Sequence, residues 1–98
     1  MTEATSQTRW VVFDVEADGL LATKIHCLSW KDHDANFGTL TDYQEIRDFF
    51  TRYDVYVGHN IVRWDIPTLQ RILGQSIEVT TVDTLGVAWY LEPLRAKH

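Results

Sequence analysis

With 98 residues, 45% of them hydrophobic and 12% aromatic, the sequence has apolar material for one small core, which argues against intrinsic disorder and limits it to one compact unit. A formal net charge of −5 argues against a protein that grips duplex DNA by broad phosphate neutralisation, although divalent ions held by carboxylates can supply positive charge locally. The single cysteine, Cys27, forms no internal disulfide and reads as a small buried hydrophobe. No window approaches signal-peptide or membrane-spanning character, so a soluble, cytoplasmic protein without membrane contact is expected.

Residues 1–8 form a polar tail, and residues 9–98 form the expected domain. Arg9 to Asp14 (RWVVFD) is a short apolar run rich in β-formers, the pattern of a central strand buried on both faces. A turn follows at Asp18-Gly19, then a second strand over Lys24 to Trp30 and a third over Asn36 to Leu40. Between Thr41 and Tyr53 the period changes: Ile46, Phe49, Phe50 and Tyr53 make a helical stripe, with Thr41 or Asp42 as cap. Asp54 to His59 reads as a fourth strand. A helix carrying Ile66, Leu69, Ile72 and Leu73 on one face comes next, with Pro67 in its first turn and Gly74 at its end. Ser76 to Val82 reads as a fifth strand, and Asp83 to Leu94 as a third helix broken at Pro93. The order β-β-β-α-β-α-β-α implies a mixed α/β sheet.

Two segments carry residues suited to chemistry. Asp14 and Glu16 form a D-x-E at the end of the first strand, and strand alternation puts both carboxylates on one side of the chain. Paired carboxylates suit hard divalent cations, and two such ions can stabilise the attacking and leaving oxygens in phosphodiester cleavage. An isolated D-x-E also commonly begins a solvated turn. The second segment, Gly58 to Asp65 (GHNIVRWD), runs from a strand end into a helix, the place where α/β sheets build sites. There Asp65 could face Asp14, or it could be a helix N-cap with His59-Asn60 as a turn.

Taken in order, FDVEADGL, HNIVRWD and VDTL resemble the DEDD superfamily of 3′-to-5′ exonucleases, specifically the proofreading domain of phage-type family A DNA polymerases. The resemblance implies a ribonuclease H-like fold: a five-stranded mixed sheet of order 3-2-1-4-5, the second strand antiparallel, with helices on both faces. It implies that Asp14, Glu16 and Asp65 are catalytic metal ligands for Mg2+ or Mn2+, acting at a single-stranded DNA 3′ end. It further implies that Leu20 wedges against the terminal base, although an ordinary core leucine beside the turn accounts for a lone Leu more simply, and that Asn60 lies behind the ligands or touches the strand. The Asn-to-Asp spacing, N-x-x-x-x-D, is one longer than the commonest pattern and occurs in the phage branch. Arg63 and Trp64 could contact phosphate or a base, but an exposed Arg and a core Trp account for them more simply. Asp83 reads as a cap for the last helix or as an acid behind the ligands, and His26, His33 and His98 match no chemical requirement.

The family's third motif, Y-x-x-x-D or H-x-x-x-x-D, does not occur in these 98 residues. Without its carboxylate and its water-positioning group, the isolated chain is expected to be nearly inactive. The leading expectation is therefore the amino-terminal, C-terminally truncated part of a proofreading exonuclease. The alternative is a catalytically incomplete nuclease-like module that binds or inhibits DNA or a replication partner, its acidic surface suiting a basic one. A third reading has a second copy or another chain donate the missing ligands. Lost helical cover should leave an apolar patch around Leu85, Trp89 and Leu91 that favours self-association or a partner.

Overall fold

A computed structural model of the chain describes residues 8–19 and 21–85. Five strands form one sheet of order β3-β2-β1-β4-β5: β1 is Trp10–Ala17, β2 Ile25–Asp32, β3 Phe37–Leu40, β4 Val55–Gly58 and β5 Thr80–Asp83. β1 pairs antiparallel with β2 and parallel with β4; β2 pairs antiparallel with β3, and β4 parallel with β5. This is the expected mixed sheet, with β2 running against β1, β4 and β5.

β1 extends to Ala17, past the expected end at Asp14, because its pairing with β2 continues through Glu16↔Cys27 and Ala17↔Ile25. Its pairing with β4 stops at Val12↔Val57. The carboxyl half of β1 therefore has an unpaired edge on the β4 side, and that edge frames the site. The expected fifth strand begins later than Ser76, since β4 starts only at Val55, which pairs with Thr80; among the described residues no strand lies beside residues 76–79 to pair with.

Two helices lie between the strands: α1 over Tyr43–Phe49 and α2 over Ile66–Leu73. Both send their buried residues, Ile46 and Phe49 from α1 and Leu69 and Leu73 from α2, into one cluster with Val11, Phe13, Val15, Leu28 and Tyr56. The aromatic rings meet edge to face: Phe13 stands 5.4 Å from Phe50 and 5.9 Å from Phe49 between centroids. The Tyr56 hydroxyl reaches into the same cluster and donates to the Phe49 carbonyl at 2.7 Å. Among the described residues both helices thus cover the same face of the sheet. β1 alternates strictly, with Val11, Phe13 and Val15 buried and Trp10, Val12, Asp14 and Glu16 exposed. That corrects the reading of the first strand as buried on both faces. The run RWVVFD hides a period of two because Trp10 and Val12 are apolar on the outer face. The expected third helix, and with it Trp89 and Leu91, lies outside the described residues beyond Leu85, which is half-buried.

Local signals set the helix ends. The Glu45 amide donates to Asp42 Oδ2 at 3.0 Å, so Asp42, and not Thr41, is the cap of α1. Asp42→Ala should destabilise the domain by about 1 kcal/mol in urea denaturation, and Asp42→Ser should recover most of it. Pro67 sits in the first turn of α2, and Gly74 closes it at φ 66°. No helix of the described residues is long and apolar enough to cross a membrane.

Candidate active site

Asp14 and Glu16 lie on the face of β1 that neither described helix covers, both exposed, opposite Ser29 and Cys27 of β2. Among the described residues neither carboxylate has a side-chain hydrogen bond or an ion pair, so both are free to turn toward a ligand. Cys27 is half-buried on this same face beside Glu16.

Asp65 reaches this pair by an unusual path. The chain leaves β4 at Gly58, turns through Asn60 in the left-handed region (φ 60°, ψ 29°) and enters a π-helical turn over Ile61–Asp65. It then continues as α2. The Asp65 side chain makes no capping bond to α2. Instead its Oδ2 accepts from the Val15 amide at 3.2 Å, on the edge of β1 that β4 has vacated. The carboxylate is thereby fixed at the backbone between Asp14 and Glu16, and it is buried at 4% exposure. This geometry removes the N-cap reading of Asp65. A π-turn closes over one residue more than an α-turn, and with that additional residue Asp65 faces β1.

Gly58 makes this route possible. A Cβ there would collide with the Ile61 side chain and stand 2.9 Å from the Phe13 carbonyl oxygen, closer than such atoms approach. Only glycine lets the end of β4 lie this tightly against β1 and the turn that follows.

The electrostatics are those of crowded negative charge. Burial pushes the Asp65 carboxyl up to about 6, against the Val15 amide, which lowers it, and the charges of Asp14 and Asp83 push it further up. Asp83, the last residue of β5, behaves oppositely. Burial raises its pKa, but the amides of Val62, Leu85 and Asn60 outweigh that and leave it below the ordinary carboxylate range. Its Oδ1 accepts from Asn60 at 2.8 Å and Leu85 at 2.9 Å, and its Oδ2 from Val62 at 3.0 Å. The expected cap of the segment after β5 is present, and the same carboxylate holds the turn that carries Asp65.

The other expected residues fall around this centre. Asn60 is half-buried, and its Oδ1 is buried without a hydrogen-bond partner among the described residues. Arg63 is exposed, and Trp64 packs against the core from its margin. Leu20 lies outside the described residues. Nearby, Asp18 accepts from the Thr23 amide at 2.9 Å and the Thr23 hydroxyl at 2.8 Å. His33 and Asp32 sit at the other end of the sheet: Asp32 accepts from the Tyr53 hydroxyl at 2.7 Å and from the Asp34 and Asn36 amides, a structural clasp for the β2–β3 turn.

Among the described residues the carboxylates of Asp14, Glu16 and Asp65 have no cationic partner, and burial more than neighbouring charge drives Asp65 toward protonation. Among the described residues no group of three or more His, Cys, Asp or Glu side chains gathers into a metal-binding cluster. Asp65 is pinned by Val15, whereas Asp14 and Glu16 are unpinned.

No protein-family model matches the chain, and no curated protein sequence does. Among solved structures it is similar to the family B DNA polymerase from the hyperthermophilic archaeon Pyrobaculum calidifontis, with a TM-score of 0.66 and 18% identity. The similarity covers 84% of this chain and 16% of the polymerase, so the chain spans about a sixth of that protein's length. At this identity the likeness shows the fold: an α/β, ribonuclease H-like five-stranded mixed sheet of a kind contained within a DNA polymerase.

Proposed function

We propose that the chain carries part of a 3′-to-5′ proofreading exonuclease site of a phage-type family A DNA polymerase, acting on the 3′ end of single-stranded DNA. The family A branch rests on the sequence motifs alone, since the structural neighbour is a family B enzyme. One observation carries the reading: Asp65, 51 positions after Asp14 in sequence, bonds to the backbone amide between Asp14 and Glu16. A helix cap has no reason to make that contact.

In this reading Asp14 and Glu16 hold Mg2+ or Mn2+ from the face of β1 opposite α1 and α2, with Asp65 as the ligand fixed from the side. A bound divalent cation supplies the positive charge that stabilises the oxygens entering and leaving phosphorus. The chain's own contribution is placement. The rigid β1–β2 ladder sets the spacing of Asp14 and Glu16, and the Val15 amide prevents Asp65 from turning away. Asn60 offers an Oδ1 beside the turn that is unpaired among the described residues, and Arg63, exposed on the same turn, offers a cation for phosphate.

Calorimetric titration of Mn2+ tests this. Wild type should bind, and Asp14→Ala should bind at least about tenfold more weakly. No binding by wild type at millimolar Mn2+ would sink the proposal. With a 5′-labelled single-stranded oligonucleotide, these 98 residues should show little shortening, because the third motif is not among them. Binding of that oligonucleotide without Mn2+ dependence would favour the non-catalytic binding module instead.

A further inference from the structure

We propose that Asp83 is a positioning residue of this site: its carboxylate gathers the amides that follow β4 and so fixes the π-helical turn that delivers Asp65 to β1. The proposal rests on the reading of Asp65 as a site residue.

The turn cannot hold itself. A helical start leaves its first amides without intrahelical partners, and a side chain at the N-cap ordinarily takes one of them. Here the N-cap is Asn60, whose side chain makes no capping bond, and Asp65 is committed to Val15. The amides of Asn60 and Val62 are satisfied from another strand altogether, by Asp83. β5 places it there by register, since Gly58 and Asp83 are paired residues at the ends of adjacent parallel strands. Its neighbour adds a second tie, for the Thr84 hydroxyl donates to the Gly58 carbonyl at 3.2 Å.

The residue type follows from the count of donors. Three amides converge, two on Oδ1 and one on Oδ2, so both oxygens must accept. An asparagine keeps one acceptor and turns an N–H2 toward the Val62 amide, donor against donor. A serine has one oxygen and a shorter reach. Asp83 acts through the backbone of residues 60–62, and through the turn on Asp65.

Amide hydrogen exchange separates this role from simple capping, because the Val15 amide reports whether Asp65 is in place. In Asp83→Asn the amides of Val62 and Val15 should exchange about tenfold or more faster, while Leu28 and Trp30, whose amides face β3 in the β2–β3 ladder, keep their rates. Asp65→Ala gives the reference rate for an unheld Val15. Asp83→Ala should show the larger effect at Asn60, Val62 and Val15; if it does not fold, Asp83→Asn, which retains Oδ1, decides alone. Unchanged Val15 exchange in Asp83→Asn overturns the proposal, and so does a rise shared equally by Val15, Leu28 and Trp30. A wild-type chain that binds no Mn2+ would sink the exonuclease reading, and the exchange comparison would still decide for or against Asp83.

Discussion

Replacing Asp65 by Asn should make the protein more stable at neutral pH, by about 1–3 kcal/mol, while removing a ligand the proposed chemistry needs. The sign follows from the direction of the shift. In the unfolded chain an aspartate titrates near 3.9, and in the folded state Asp65 is raised to about 6, so the folded form binds the proton more tightly. The stability linked to that proton is full below about pH 4 and is lost as pH rises through about 6. Above pH 6 the protein carries a buried carboxylate with one amide for a partner and like charges beside it. Asparagine retains an oxygen for the Val15 amide and has no charge to bury.

Urea denaturation of both proteins across pH 4 to 8 checks this. The advantage of Asp65→Asn should be largest at pH 7 to 8 and should close as pH falls from 6 toward 4. A constant difference at all pH values would mean that Asp65 does not titrate in the predicted window. Saturating Mn2+ should raise the stability of wild type and not of the variant, since a cation bound to the folded state alone stabilises it by mass action.

Phe49→Ala should be the most damaging single substitution of those considered, at about 3–5 kcal/mol. Phe49 is fully buried, its ring centroid lies 5.0 Å from Phe50 and 5.5 Å from Tyr56, and its carbonyl accepts the Tyr56 hydroxyl. Truncation removes the hub of that aromatic cluster and leaves a void between α1 and the sheet. Against a total stability of roughly 5–15 kcal/mol for a domain, the loss should lower Tm by more than about 10 °C. Thermal unfolding followed by near-ultraviolet circular dichroism measures it directly, and a loss below about 1 kcal/mol would show that the cluster relaxes into the space. The consequence reaches the site, because Phe13, packed on Phe49, lies between Val12 and Asp14 on β1.

Much of this architecture was legible in the sequence. The alternation of Val11, Phe13 and Val15 was masked by the apolar Trp10 and Val12 on the outer face, but the stripe of Ile46 and Phe49 and the pair Pro67 and Gly74 each encode local preferences, which neighbouring residues alone can express. The D-x-E pair belongs with them, since strand alternation by itself puts Asp14 and Glu16 on one side. The order of the sheet followed from the motif resemblance and the sequence of elements, and the structure has it as expected.

What the sequence alone left open concerned partners far apart in the chain. Asp65 preceding a helix reads equally as a cap, and only the early end of the β1–β4 pairing, which bares the Val15 amide, decides against it. The π-turn had no local signal, because the residue it absorbs is evident only once both ends of the turn are anchored to other strands. Asp83 was visible as a strand-end acid, but its hold on Asn60 and Val62 depends on the β4–β5 register. The length of β5 was set in the same way, by where β4 begins. Propensity and period are properties of short windows, and they determined the elements and the D-x-E pair here. Strand pairing spends its hydrogen bonds between distant residues, so it was left to the tertiary structure to decide which amides remained free and which carboxylates took them.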